Sequence, residues 1–137
     1  MVTATAQVLR ILPGSFCVER AVDESAALES ARISLVRAPE GLTVVREVDG
    51  RAGDGSVERW RALYSGDSAH ALDLPGVLSL LIAPLAAAGV PVFVASTYGA
   101  DLVLVPELRL ADGLAALRSA GHRVDDRAAD VPRTPGS

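Results

Sequence analysis

The chain has no lysine, no asparagine, one cysteine and two histidines among 137 residues, and aromatic side chains make up only 4%. The missing lysine excludes a Schiff base and the lysine of a phosphate-binding loop. Cys17 alone cannot form an internal disulfide, which fits a reducing compartment. With His70 and His122 isolated in the sequence, it also makes no recognisable metal-ligand spacing. All 13 basic residues are arginines set against 17 acidic ones, and a net charge of −4 lacks the clustered cations of a nucleic-acid surface. Long apolar runs are missing too: Val77 to Val94 is interrupted by Ser79, Pro84, Gly89 and Pro91, whereas a membrane span needs about 20 apolar residues. The opening MVTATAQVLR lacks the charged and then apolar pattern of an export signal. The expectation is a soluble, cytoplasmic protein with no cofactor, no metal, no nucleic-acid partner and no membrane partner.

What is present is aliphatic. Half the residues are apolar, so the core must be built from Val, Leu, Ile and Ala. The length suits one domain or two very small units sharing a core.

The pattern is clearest after DGRAGDGSVE, a glycine-rich polar stretch that divides the chain near residue 55. In ERWRALYSG, Trp60, Ala62 and Tyr64 alternate with Arg59, Arg61 and Leu63 as in a strand. A helix follows Asp73 and opens at Pro75-Gly76. Val77, Leu78, Leu81, Ile82 and Leu85 recur at helical spacing, and Gly89 ends it. Pro84 lies inside and removes a hydrogen bond to the carbonyl of Leu80, which predicts a kink or break. Val92 to Ser96 and Leu102 to Val105 read as strands joined by a TYGAD hairpin. Leu110, Leu114 and Leu117 then mark a second helix ended by Gly121, and His122-Arg123-Val124 a last short strand. The order is β-α-β-β-α-β, an α+β, ferredoxin-like arrangement.

Before residue 55 the theme recurs incompletely. Gln7 to Leu12 and Phe16 to Ala21 read as strands around Pro13-Gly14, Glu24 to Ala31 as a short helix, and Arg32 to Ala38 with Leu42 to Glu47 as a hairpin. Such a piece is marginal alone and is expected to share a sheet with the second half. The organisation read from the sequence is an incomplete unit at 7–55, a complete one at 56–124 and a disordered tail at 125–137, where DDRAADVPRTPGS has no apolar periodicity.

Two features suggest a small-molecule site. The helix opening DLPGVLS leaves the amides of Gly76, Val77 and Leu78 without intrahelical partners, and their positive ends suit an anion such as an α-carboxylate. Between two apolar strands, Ser96-Thr97-Tyr98-Gly99-Ala100-Asp101 places three hydroxyls and a carboxylate. Read for turn chemistry alone, the same residues bond their own hairpin, and Pro-Gly is a common helix entry. Other residues carry plainer expectations. Trp60 anchors the sheet, Cys17 is a small buried hydrophobe, His122 is solvated or locally bonded, and Arg32, Arg37 and Arg46 form a charged sheet edge.

The segments LRILPGSFCVER, RISLVRAPEGLTVV, GVLSLLIAPLAAAGVPVFVASTYGADLVLVPE and LADGLAALRSAGHRV resemble ACT domains across residues 8 to 124. These are the amino-acid-binding regulatory modules of aspartate kinases and of cytosolic arginine sensors. The match is closest over IAPLAAAGVPVFVASTYGADLVLVPE. The resemblance implies a ligand held between ACT units by the first strand-helix loop and by the second strand with its turn. Carried over, the positions are Leu74, Gly76, Val77, Val92, Thr97, Tyr98 and Asp101. It further implies a non-enzymatic sensor, an amino acid as small-molecule partner, a homo-oligomer and a regulated enzyme or protein. The arginine sensors hold more ACT units per chain than the two seen here, so a complete site is expected to need a second subunit. The rival readings are a ligand-free assembly module and a small hydrolase using Ser96 or Tyr98 with Asp101. The hydrolase reading has no residue to serve as base.

Overall fold

The computed structural model describes residues 6–21, 32–48, 57–66 and 76–125. Its elements are strands β1 (Val8–Ile11), β2 (Ser15–Ala21), β3 (Arg32–Ala38), β4 (Gly41–Val48) and β5 (Trp60–Tyr64), helix α1 (Val77–Ala87), strands β6 (Phe93–Val94) and β7 (Leu102–Pro106), helix α2 (Leu110–Ser119) and strand β8 (Arg123–Asp125). A 3₁₀ turn, Glu107–Arg109, leads into α2. The chain divides into two compact units, Gly14–Trp60 and a larger one made of Met1–Pro13 with Arg61–Ser137.

In the smaller unit the strands lie in the order β3-β4-β2. β2 and β4 pair antiparallel from Ser15↔Val48 to Ala21↔Leu42, and Phe16 is registered against Trp60. Cys17 is 1% exposed, as expected of a small hydrophobe. Arg46 lies on the central strand, not at an edge. It faces Glu19, whose Oε1 accepts from its Nε at 2.6 Å. The pair holds the Arg46 guanidinium more firmly protonated, chiefly through that hydrogen bond. Burial pushes the Cys17 thiol pKa up, against the pull of Arg46 and with a smaller push from Glu19. The helix expected at Glu24 to Ala31 lies outside the described residues.

The larger unit carries the β-α-β-β-α-β order with one strand added. β5 pairs with β7, and β7 with β6. In a plain unit of this kind the first and last strands, here β5 and β8, would be neighbours. Instead β1 lies between them, antiparallel to β5 (Arg10↔Tyr64, Ile11↔Leu63) and parallel to β8 (Val8↔Arg123, Leu9↔Val124). The sequence reading placed this strand with the N-terminal half, because local pattern shows that a segment is extended and not what it pairs with. Asp125, read as the start of the tail, is the last residue of β8, and the rest of that tail lies outside the described residues.

Both helices end as their glycines predict. Val90 N–H bonds Leu85 O and Gly89 N–H bonds Ala86 O; His122 N–H bonds Leu117 O and Gly121 N–H bonds Arg118 O. Each is a Schellman motif. The core of this unit joins Leu9 and Ile11 of β1, Leu63 of β5, Leu81 and Leu85 of α1, Val103 and Val105 of β7, Leu114 and Leu117 of α2, and Val124 of β8. α1 runs through Pro84 without a break.

Leu85, fully buried, meets α2 at Gly113, where a Cβ would stand 3.4 Å from Leu85 Cδ2 and 3.9 Å from Val105 Cγ1. Leu85→Ala should therefore lower unfolding free energy by about 2–5 kcal/mol. Gly113→Ala, adding a contact at ordinary van der Waals range within a helix, should raise it by about 0.5–1 kcal/mol. Urea titration of the two variants checks both signs. Cys17 should react with a thiol-specific reagent only after unfolding. Because its folded pKa is raised, the stability it contributes is complete below the unfolded thiol's pKa and is lost as pH rises through the folded value. Reaction rate and urea midpoint measured against pH test this.

Candidate functional site

The polar hinge between β6 and β7 is assembled from three chain segments. Ser65 follows β5, Ser96 lies just beyond β6, and Asp101 immediately precedes β7. Asp101 N–H donates to Ser65 Oγ at 2.7 Å, and Ser65 N–H returns a bond to Asp101 O at 3.0 Å. Ser96 Oγ donates to Asp101 Oδ1 at 3.2 Å and accepts from Leu102 N–H at 3.4 Å. Asp101 is only 5% exposed and Ser65 is fully buried. The carboxylate thus enters a buried network, where polar groups need partners. Ser65 had no distinguishing signal in the sequence beyond standing after an apolar strand.

Thr97 closes the hairpin tip, its N–H and its Oγ1 both donating to Ala100 O at 2.9 and 3.3 Å. These hydroxyls satisfy the hairpin's own backbone, as turn chemistry alone predicts. Tyr98 stands outward, 83% exposed. Val92 is half-buried and packs against the core.

Gly76, at the other proposed element, has φ 84° and ψ −4° at the N-cap of α1. That left-handed conformation favours glycine, and a Cβ there would meet nothing within 4 Å. The first helical bond runs from Leu80 N–H to Gly76 O, and no side chain caps the turn. The amides of Val77, Leu78 and Ser79 therefore have no intrahelical acceptor. Val77 as a whole residue is 2% exposed, in the core. Leu74 lies outside the described residues.

The fold brings these two elements to one end of the sheet. Leu85, late in α1, and Val105, late in β7, meet at the same point beside Gly113. The 11 residues of α1 and the five of β7 have similar lengths, about 16 and 17 Å. Asp101 at the start of β7 is also bonded to Ser65 at the end of β5, the strand that precedes α1, so the starts Gly76 and Asp101 lie toward the same end. Val92 stands further along: Phe93, the residue after it, is registered against Leu104.

The exit from β5 is also fixed. A Cβ on Gly66 would overlap the ring of Tyr64, whose other neighbour is the Arg10 guanidinium, 5.5 Å from the ring centroid. Elsewhere, a shallow depression of about 420 Å³ runs along α2, lined by Ala88, Arg109, Asp112, Ala115, Ala116 and Ser119. Arg109 is committed there to Asp112 Oδ2 at 2.9 Å, Gly89 O at 3.2 Å and Ala88 O at 3.4 Å. Among the described residues, no three His, Cys, Asp or Glu side chains converge to hold a metal, and no helix is long and apolar enough to cross a membrane.

A family model for the ACT domain matches residues 55–119, which span β5 to α2 with the α1 start and the polar hairpin. Over this segment the chain is similar to the ACT domain. Solved structures extend the likeness of fold beyond it. An Agrobacterium tumefaciens protein is 28% identical with TM-score 0.71, covering 89% of this chain and 94% of its own. A Vibrio cholerae protein of unknown function, described as a possible transport protein, is 23% identical with TM-score 0.70, covering 85% and 88%. Aspartate kinase from Clostridium acetobutylicum, described as an allosteric enzyme, is 14% identical with TM-score 0.55, covering 79% of this chain and 33% of its own. No curated protein sequence matches the chain significantly. ACT domains are regulatory modules of amino-acid-binding type, and β1 and β8 lie outside the matched segment.

Replacing Ser65 by Ala removes the acceptor of the 2.7 Å bond from Asp101 N–H. A buried donor that loses its partner costs about 1–3 kcal/mol. Thermal unfolding of Ser65→Ala should show a loss of that size.

Proposed function

We propose that the protein is an amino-acid sensor without catalysis of its own, which holds its ligand where two ACT units meet and regulates a partner protein through its assembly. The observation that carries this reading is the uncapped start of α1 at Gly76, open to approach and lying toward the Asp101 end of the sheet. The α-carboxylate of an amino acid suits the free amides of the helix start. Its ammonium suits the carboxylate and hydroxyls of the hinge. Leu74, Gly76, Val77 and Val92 supply backbone and wall, and Thr97, Tyr98 and Asp101 the polar side. A second subunit of the same cytoplasmic protein supplies the opposing wall. Regulation follows if ligand binds one assembly state more tightly, since equal affinity shifts nothing.

A second reading, an assembly module without ligand, draws on the hinge itself. The Ser96 and Thr97 hydroxyls already bond their own hairpin while Tyr98 faces outward, an arrangement that suits a protein surface as well as a small molecule. Thermal shift against a panel of the proteinogenic amino acids separates the two. A ligand at about 100 times its Kd should stabilise by about 2.7 kcal/mol. Asp101→Asn, which keeps an acceptor for Ser96, should fold normally and lose most of that shift. No shift from any amino acid sinks the sensor and leaves the assembly reading.

A further inference from the structure

Pro84 has no N–H, so the carbonyl of Leu80 lacks the partner that a regular helix would give it four residues on. That carbonyl is nonetheless engaged: His122 Nε2 lies 2.8 Å from Leu80 O. The other ring nitrogen, Nδ1, is 2.9 Å from the backbone nitrogen of Gln7, just before β1. A carbonyl can only accept and a backbone N–H can only donate, so one tautomer satisfies both contacts: Nε2 carries the proton and Nδ1 is bare. His122 is itself 6% exposed, and its own N–H bonds Leu117 O in the Schellman turn of α2. The histidine expected from sequence to be solvated or locally bonded is a buried junction between the β1 segment, α1 and α2.

We infer that His122 stands in for the helix hydrogen bond that Pro84 removes and is thereby the positioning residue for the first turns of α1. This inference rests on the amino-acid reading for its functional consequence, because the Leu80 carbonyl is in the stretch that carries the ligand-facing amides of Val77, Leu78 and Ser79. An α1 without this support still has its apolar core contacts, through Leu81 and Leu85. What it loses is the fixed direction of its open end. The same ring ties that end to β1, the strand inserted between β5 and β8, so displacement of the α1 start and displacement of Gln7 are mechanically linked.

The test separates this role from general stability by restoring the missing donor elsewhere. Pro84→Ala returns an N–H to the helix within reach of Leu80 O. With the amino acid that gives the largest thermal shift on the wild type, His122→Ala should bind about tenfold more weakly, as expected for one lost buried hydrogen bond. The double variant His122→Ala/Pro84→Ala should recover most of the affinity. His122→Gln, whose amide can still donate toward Leu80, should bind better than His122→Asn, which is too short to reach it. Unchanged affinity in His122→Ala, or a loss that Pro84→Ala fails to rescue, overturns the positioning role. Two measurements need no ligand. The imidazole nitrogen spectrum of the wild type should show the Nε2–H tautomer, and the stability loss of His122→Ala should shrink in the Pro84→Ala background. The opposite tautomer, or strictly additive losses, overturns the inference even if amino acids bind. If no amino acid binds but these two results hold, only the sensor reading fails. Should His122→Ala not fold, the Gln, Asn and double variants carry the comparison.

Discussion

Strand β7 has no wet face: Leu102, Val103, Leu104, Val105 and Pro106 are all buried. A strand in that position must have its backbone paired on both sides and both faces covered, because water is not available to either. β5 and β6 supply the two ladders, and α1 and α2 cover the face that carries Val103 and Val105. The polar hinge follows from the same constraint. Where the chain leaves the exposed turn and enters β7, Ala100 and Asp101 are already buried, and the bonds exchanged by Asp101, Ser65 and Ser96 provide for backbone groups at that entrance. A hinge built this way is polar for structural reasons before any ligand is considered. It also leaves charge and hydroxyl groups at the end of the sheet toward which the open helix start lies.

A second compensation works within α1. Pro84 deprives α1 of one bond, and the helix continues through it because Leu80 O finds a donor on another element. The consequence is specificity of placement. A helix whose bonds are all internal can slide or rotate against its sheet, held only by nondirectional apolar contacts. One whose carbonyl is held by a buried side chain is registered to that side chain's neighbours. Here those neighbours are β1 and the end of α2. The open start of α1 is therefore attached to a strand that the segment matching the ACT domain does not include.

Much of this was readable from the residues. The alternation in WRALY, the helical recurrence of Val77, Leu81 and Leu85, and the glycines at 89 and 121 located elements within a few residues of where they lie. Of the site, Gly76 and Asp101 were legible because a Pro-Gly entry and a charged residue in an apolar hairpin each break a local pattern. Ser65 and His122 were not. Ser65 looks like any strand-ending serine, and His122 stands in a turn where a solvated histidine would be unremarked. The kink or break expected at Pro84 rested on the lost N–H alone, without sight of the donor that replaces it.

The division has a physical basis. Periodicity, turn residues and helix ends act over a few residues, so composition and spacing alone determined the ferredoxin-like order of the second half and the character of its core. Pairing acts across the chain. Gln7 and His122 are 115 residues apart, His122 and Leu80 42, and Ser65 and Asp101 36. Only the folded chain decides which buried donor meets which acceptor, and so only the tertiary structure could insert β1 beside β8, bury the hinge carboxylate and turn a lone histidine into a support for α1.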